Sequence, residues 1–204
     1  MSVRIARTPS YGPLAIGSLD MTLLVGISGS LRRHSFNSGL LRAARANMPD
    51  GARLNIASIS GIPLYNADVE EEEGIPQSVA DLKEAIAKAD GLLLATPEYN
   101  NSIPGVFKNA IDWASRPPAD IPRVFAAKPV AVIGASPGGF GTILAQDAWL
   151  SVLRTLGAQL WSGSRLMVSG AGKAFDADGN LVDEAVKERL GKFLTDFVTS
   201  ITER

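Results

Sequence analysis

Short apolar runs alternate along this chain with longer stretches in which apolar residues recur every three or four positions. Leu23, Leu24, Val25 and Ile27, then Gly91 to Ala95, then Lys128 to Gly134 read as strands of a parallel sheet covered on both faces. Arg53 to Ala57 alternates polar with apolar, as a shorter or edge strand does. Gln159 to Trp161 with Arg165 to Val168 completes the set. Helical spacing runs from about Leu40 through Arg45, from Gln77 to Lys88, from Pro104 to Ala114, from Thr142 to Leu156 and from Leu181 to Ile201. Strands alternating with helices in this way predict an α/β domain with a helix layer on each face of the sheet.

The segments leaving the first, third and fourth strands carry the unusual chemistry. Gly29 allows the chain to leave its strand sharply. Ser30, Ser35, Asn37 and Ser38 then gather just before a helix, with Arg32 among them. A helix N-terminus has unpaired N–H groups and the positive dipole end, so it favours an anion, and an arginine fork matches phosphate geometry. Simple helix capping by the same residues is the alternative. The spacing is neither G-x-G-x-x-G nor G-x-x-x-x-G-K-[ST], so a mononucleotide fits better than a dinucleotide or a P-loop ligand. The second loop is Thr96-Pro97-Glu98-Tyr99-Asn100-Asn101-Ser102 and the third Ala135-Ser136-Pro137-Gly138-Gly139-Phe140-Gly141. Ligands of such sheets sit outside the carboxyl ends of the strands, and the strand order 2-1-3-4-5 of a flavodoxin-like fold brings these three exits together.

Composition narrows the chemistry. The chain has 204 residues, no Cys, one His and a net charge of −1, which suits one domain and excludes thiolate nucleophiles, disulfides and a zinc cluster. Redox chemistry therefore needs an organic cofactor. The balanced charge argues against a nucleic-acid partner, and no apolar run nears the roughly 20 residues that a membrane crossing needs. Residues 1–20 read as a flexible leader and 21–204 as the folded domain, starting at Met21. The acidic run Glu70 to Glu73 reads as a solvated patch, and Asp176-Ala177-Asp178-Gly179-Asn180 as a surface turn, because Lys187 stands where a calcium loop needs its glutamate.

The segments GSLRRHSFN at 29–37, PEYNNSIPGVFKNAIDW at 97–113 and GASPGGFGT at 134–142 together resemble the NAD(P)H-dependent FMN reductase family, in particular its chromate, quinone and azo-dye reducing members. The resemblance covers the chain from Met21 onward. It implies a flavodoxin-like fold, non-covalent FMN, NADH or NADPH as co-substrate, a homodimer or homotetramer, and a cytoplasmic enzyme. Position by position it implies that Ser30, Arg32, Ser35, Asn37 and Ser38 hold the FMN phosphate. Pro97, Glu98, Tyr99 and Asn100 lie beside the isoalloxazine ring, and Ser136, Gly138, Gly139 and Phe140 at the flavin edge. Asn101 stands where a glycine is common. Glu98 as a helix cap and Tyr99 as an ordinary half-buried aromatic are the structural alternatives.

The flavin carries the chemistry in this reading, so no protein side chain is assigned as a catalytic group. A non-enzymatic electron carrier of flavodoxin type and a flavin-binding sensor are the rivals. Carriers of that type meet their partners through strongly acidic faces, which this chain's balanced charge does not match. Two further expectations concern the helix from Pro104. Ile103, Phe107 and Trp113 are expected on its exposed side, forming a subunit contact. Arg116, before Pro117-Pro118, is expected near the flavin entrance as a substrate-binding charge, with a helix C-terminal cation as the alternative.

Overall fold

A computed structural model describes residues 21–203; the expected leader lies outside them. The elements in order are β1 (Thr22–Ser28), α1 (Phe36–Ala46), β2 (Ala52–Ala57), α2 (Ala67–Glu73), α3 (Gln77–Lys88), β3 (Gly91–Ala95), α4 (Gly105–Ala114), α5 (Ile121–Val124), β4 (Pro129–Ala135), α6 (Ile143–Thr155), β5 (Gln159–Leu160), β6 (Leu166–Val168), α7 (Ala171–Ala174) and α8 (Glu184–Thr202). A 3₁₀ turn over Pro118–Asp120 precedes α5.

All strand pairs are parallel, in the order β2-β1-β3-β4-β5, with β6 also against β4. This is the flavodoxin-like order that the sequence predicts. Both β3 and β4 are buried along their whole length, as continuous apolar runs require. The fifth strand is broken: Gln159 and Trp161 bond to the first half of β4, and Leu166–Val168 to its second half. The residues between, Ser162, Gly163 and Ser164, have little apolar surface to bury on the sheet, and the chain leaves the edge there.

One helix layer is formed by α1 and α8, whose Leu40, Leu41, Leu190, Phe193 and Phe197 pack on the sheet. The other is formed by α3, α4 and α6, with Val79, Ile86, Phe107, Ile111, Trp149 and Leu153 facing inward or against one another. Phe107 and Trp113 are 0% exposed, so they cannot make the expected subunit contact. Trp113 is covered by the loop after β2: its indole N–H donates to Pro63 O at 2.9 Å and its ring meets Tyr65 edge-on. Phe107 meets Trp149 at 4.8 Å between ring centres. Ile103 is only half-buried and packs on the same core.

The acidic run is the expected exposed patch at Glu71, Glu72 and Glu73, and Glu70 departs from it. The run lies within α2, capped by the Asn66 side chain, and Glu70 turns inward to Arg116 at 2.8 Å. The Asp176–Asn180 segment is the expected surface turn, closed by Asn180 N–H donating to Asp176 Oδ1 at 2.7 Å. It docks on α1, because Gly39 leaves room for the Gly179 carbonyl where a Cβ would meet it at 1.8 Å.

Candidate functional site

The three polar loops leave the carboxyl ends of β1, β3 and β4, which are neighbours in the sheet. Two tight contacts fix the first against the second. A Cβ at Gly29 would lie 2.2 Å from the Phe107 ring and 2.9 Å from Pro97, so only glycine lets loop one sit on loop two. The Gly29 N–H also donates to Ala95 O at 2.9 Å.

In loop one, Ser35 caps α1, accepting the Ser38 N–H at 3.3 Å. Phe36 and Asn37 follow as the first helical residues, so their N–H groups have no partner along the helix and face outward from its end. Ser30 accepts the Arg32 N–H at 3.3 Å, and Ser28 accepts both the Ser30 N–H and the Ser38 hydroxyl. Ser28 escapes a reading that begins at Gly29, although its place as the last strand residue was the available signal. Arg32 is exposed and takes part in none of the ion pairs among the described residues. No carboxylate occurs in 29–38. The donor set is therefore one of hydroxyls, helix-end N–H groups and a guanidinium, and it fits a phosphate.

Asn37 differs from the others. Its carboxamide is buried and forms a pair with one residue, donating to Ala135 O at 2.9 Å and accepting from Ala135 N–H at 3.0 Å. That side chain pins the start of α1 to the end of β4, and only its backbone N–H is left for an anion. Loop one is thus tied to loop three as well as to loop two.

Loop two turns sharply. Tyr99 and Ser102 exchange both backbone hydrogen bonds at 3.1 Å, and Asn100 and Asn101 between them have φ of 50° and 62°, the signature of a type I′ turn. Asparagine tolerates this left-handed region, which accounts for Asn101 at a position that suits glycine. Tyr99 is left half outside. Glu98 is a helix cap, but not of the helix that follows it. Its Oε2 accepts the N–H groups of Leu144 at 2.8 Å and Ala145 at 3.0 Å, at the start of α6. Thr142, the residue before α6, makes no side-chain cap, so Glu98 supplies the missing acceptor from another loop.

Loop three is held by its backbone. Ser136 N–H donates to Val168 O, its hydroxyl donates to Gly141 O, and Gly170 N–H donates to Gly138 O. Gly138 and Gly139 stay exposed and uncrowded, and Phe140 is 83% exposed. Such an aromatic beside open glycine backbone offers a face to a planar ring.

Arg116 does not join this cluster. α4 separates it from loop two by about 15 Å of helix. Its Nε donates to Glu70 at 2.8 Å, and its guanidinium lies 5.7 Å from the centre of the Tyr65 ring. The hydrogen bond from Arg116 lowers the Glu70 pKa from the ordinary carboxylate value, and Glu70 in turn raises that of Arg116. Loss of water around Tyr65 raises its pKa, as does its hydrogen bond to Glu70. Arg116 and Glu70 strap α2 to the end of α4. Below them the buried Lys83 donates to Arg116 O and to Asp120 at 2.6 Å.

A doubly wound parallel sheet with a phosphate-type cradle at its first loop, and two further loops beside it, defines a flavodoxin-like nucleotide-binding protein. Comparison with known proteins narrows the class. The model of the NADPH-dependent FMN reductase family matches residues 22–173, and the chain belongs to that family of oxidoreductases, with FMN and NAD(P)H as its cofactor and electron donor. An NAD(P)H-dependent FMN reductase of Pseudomonas aeruginosa is 48% identical over 171 residues, covering 84% of this chain and 90% of that one. A 2-hydroxy-1,4-benzoquinone reductase of a Burkholderia species is 38% identical over 178 residues, covering 87% and 95%. Among solved structures, the flavoenzyme NAD(P)H:(acceptor) oxidoreductase FerB of Paracoccus denitrificans matches with a TM-score of 0.78 and 35% identity, over 89% of this chain and 98% of that one.

Proposed function

We propose that the cradle of Ser30, Arg32, Ser35, Ser38 and the α1 N-terminus holds the FMN phosphate, and that loops 97–100 and 136–140 flank the ring system, with NADH or NADPH reducing it for small-molecule acceptors. The observation that carries this is the carboxylate-free, donor-rich composition of 29–38 at a helix start, pinned by Gly29 and Asn37 to both other loops. Bound FMN supplies hydride acceptance and onward electron delivery. The chain's own residues bind and aim it. Backbone N–H groups of the second and third loops left free of partners would stabilise negative charge on the reduced ring, and Glu98 ties the second loop to the start of α6 after the third.

Quinones are the acceptor class best supported, because relatives in Burkholderia and Escherichia coli are named quinone reductases. Azo compounds and chromate share the requirement for an exposed flavin edge. A cytoplasmic setting agrees with the need for reduced nicotinamide and with the lack of cysteines. No helix among the described residues is long and apolar enough to cross a membrane. Assembly as a homodimer or homotetramer is retained on a surface other than the buried side of α4.

Titration of the apo-protein with FMN tests the cradle. Arg32→Ala is expected to weaken binding by about 10- to 150-fold, equivalent to losing one charge-assisted contact of roughly 1.5–3 kcal/mol. An unchanged dissociation constant would remove Arg32 from the site. Stopped-flow mixing of the yellow protein with NADH and NADPH tests the electron donor, and bleaching by neither overturns the enzymatic reading.

A further inference from the structure

Loop one leans on a segment that the flavin reading leaves unused, the surface turn at 176–180. Ser35, the cap of α1, is buried, but Leu31, Arg32, Arg33 and His34 before it are exposed. Among the described residues His34 is the only side chain of those four with a hydrogen bond. Its Nδ1 lies 3.2 Å from Asp178 O, a carbonyl oxygen that only accepts, so the ring N–H donates. On the other side of Ser35, the Phe36 ring meets the Phe175 ring at 5.1 Å between centres. The 175–180 segment therefore grips the chain on both sides of the cap.

The fit is close. Gly179 has φ of 75°, and a Cβ there would lie 3.0 Å from the His34 carbonyl, so the turn rests on the backbone of the loop. Arg42 of α1 donates through Nη2 to Gly179 O at 2.9 Å, to Asn180 Oδ1 at 3.1 Å and to Asp178 O at 3.4 Å. It stands about 10 Å of helix rise beyond Ser35 and is committed to three acceptors on the turn, so it is no ligand for an anion at the helix start. The other end of the segment is anchored to loop three. Ala171 N–H donates to Ser136 O and Gly170 N–H to Gly138 O, both at 3.0 Å, while Phe175 bridges to Leu181 with both side chains buried in the core under α8.

We propose that α7 and the 175–180 turn form a bracket that fixes the phosphate cradle, with Arg42 as the positioning residue that clamps it. Arg42 acts through residues 31–36 and not by contact with the flavin. An exposed loop without this clamp would have to be ordered each time the phosphate bound, which weakens affinity; a loop already held in place avoids that loss. The proposal rests on the reading that loop one holds the FMN phosphate, and it adds residues that no local signal in 29–38 marks.

FMN and riboflavin differ by the phosphate alone, so titrating the apo-protein with both separates an effect on the cradle from a general loss of structure. Arg42→Ala is expected to weaken FMN binding about 3- to 10-fold, the range of one lost hydrogen bond, and to leave riboflavin binding unchanged. Arg42→Lys should recover part of the FMN affinity, since all three bonds come from one nitrogen. Gly179→Ala strains the turn and leaves the sequence of loop one intact, and should lower the preference for FMN in the same direction. Circular dichroism, expected to be unchanged, reports that each variant is folded. An unaltered ratio of FMN to riboflavin affinity in Arg42→Ala or in Gly179→Ala, whether both affinities fall or neither does, would overturn the bracket and leave the cradle standing. A wild type that binds riboflavin as tightly as FMN would overturn the cradle reading, and the bracket with it.

Discussion

Helices α4 and α6 each follow one of the polar loops, after β3 and β4, each begins on the same side of the sheet, and each is rich in apolar residues. Their outer sides nevertheless differ. Over α4 the chain folds a cover: Pro63 accepts from Trp113 and Asn109, Tyr65 packs on Trp113, and Glu70 with Arg116 fastens α2 across the end. No comparable strap crosses α6 among the described residues, and Leu144 and Leu150 stay outside. An apolar helix face thus identifies surface that must be covered, without stating whether the same chain covers it.

Trp113→Ala gives the largest expected effect that sharpens this contrast. It removes a fully buried indole and its bond to Pro63, so the loss should be about 3–5 kcal/mol, read by urea denaturation. A loss below about 1 kcal/mol would mean that the cover over α4 is loose and that the two helices are alike.

The capping of α6 comes next in size. Glu98→Ala leaves two N–H groups at the helix start without their acceptor, and should cost about 0.5–2 kcal/mol, as loss of an N-cap does. Because the same carboxylate joins loops two and three, FMN affinity should fall with it, whereas Glu98→Gln keeps one acceptor oxygen and should recover part of both. Full stability with unaltered flavin binding would show that α6 does not depend on loop two.

A smaller effect is expected from Glu70→Gln, and its pH dependence identifies it. The folded-state pKa of Glu70 is lowered by Arg116, so the pair's stabilisation is complete above the ordinary carboxylate range and is lost as pH falls through the lowered pKa. Thermal melts should therefore separate the wild type from Glu70→Gln at neutral pH and converge in acid. Curves that stay parallel across the acid range would detach Glu70 from Arg116. The smallest change belongs to Leu150→Ala, which should alter the stability of the isolated protomer by no more than about 0.5 kcal/mol, in contrast to Trp113→Ala.

Much of the fold was legible before any coordinates. The continuous runs of β3 and β4 need burial on both faces, which only the middle of a parallel sheet provides, and Gly91–Ala95 is bounded as the sequence reads it. Helix α3 keeps its predicted limits because Pro76 starts it and a β-region Ala89 stops it. Local chemistry also marked the three loops, since glycine, proline and short polar side chains punctuate strand ends wherever they occur.

Side-chain direction was not legible. Phe107 and Trp113 satisfy an outward-facing pattern as well as an inward-facing one until the loop at 63–65 is laid across them. Asn37 and Glu98 look like ligand groups, yet their partners, Ala135 and the Leu144 and Ala145 N–H groups, lie 98, 46 and 47 residues away. Arg116 is drawn to Glu70 by the packing of α2, and nothing local to either residue signals that pairing. The sequence by itself determined the strands, the helices and the three loops, because those follow from periodicity and turn chemistry within short windows, while the strand order and the family came with the resemblance carried by 29–37, 97–113 and 134–142. The tertiary structure alone decided which polar side chains hydrogen-bond from one loop to another, and which apolar helix face this chain leaves exposed, because both depend on contacts between segments far apart in sequence.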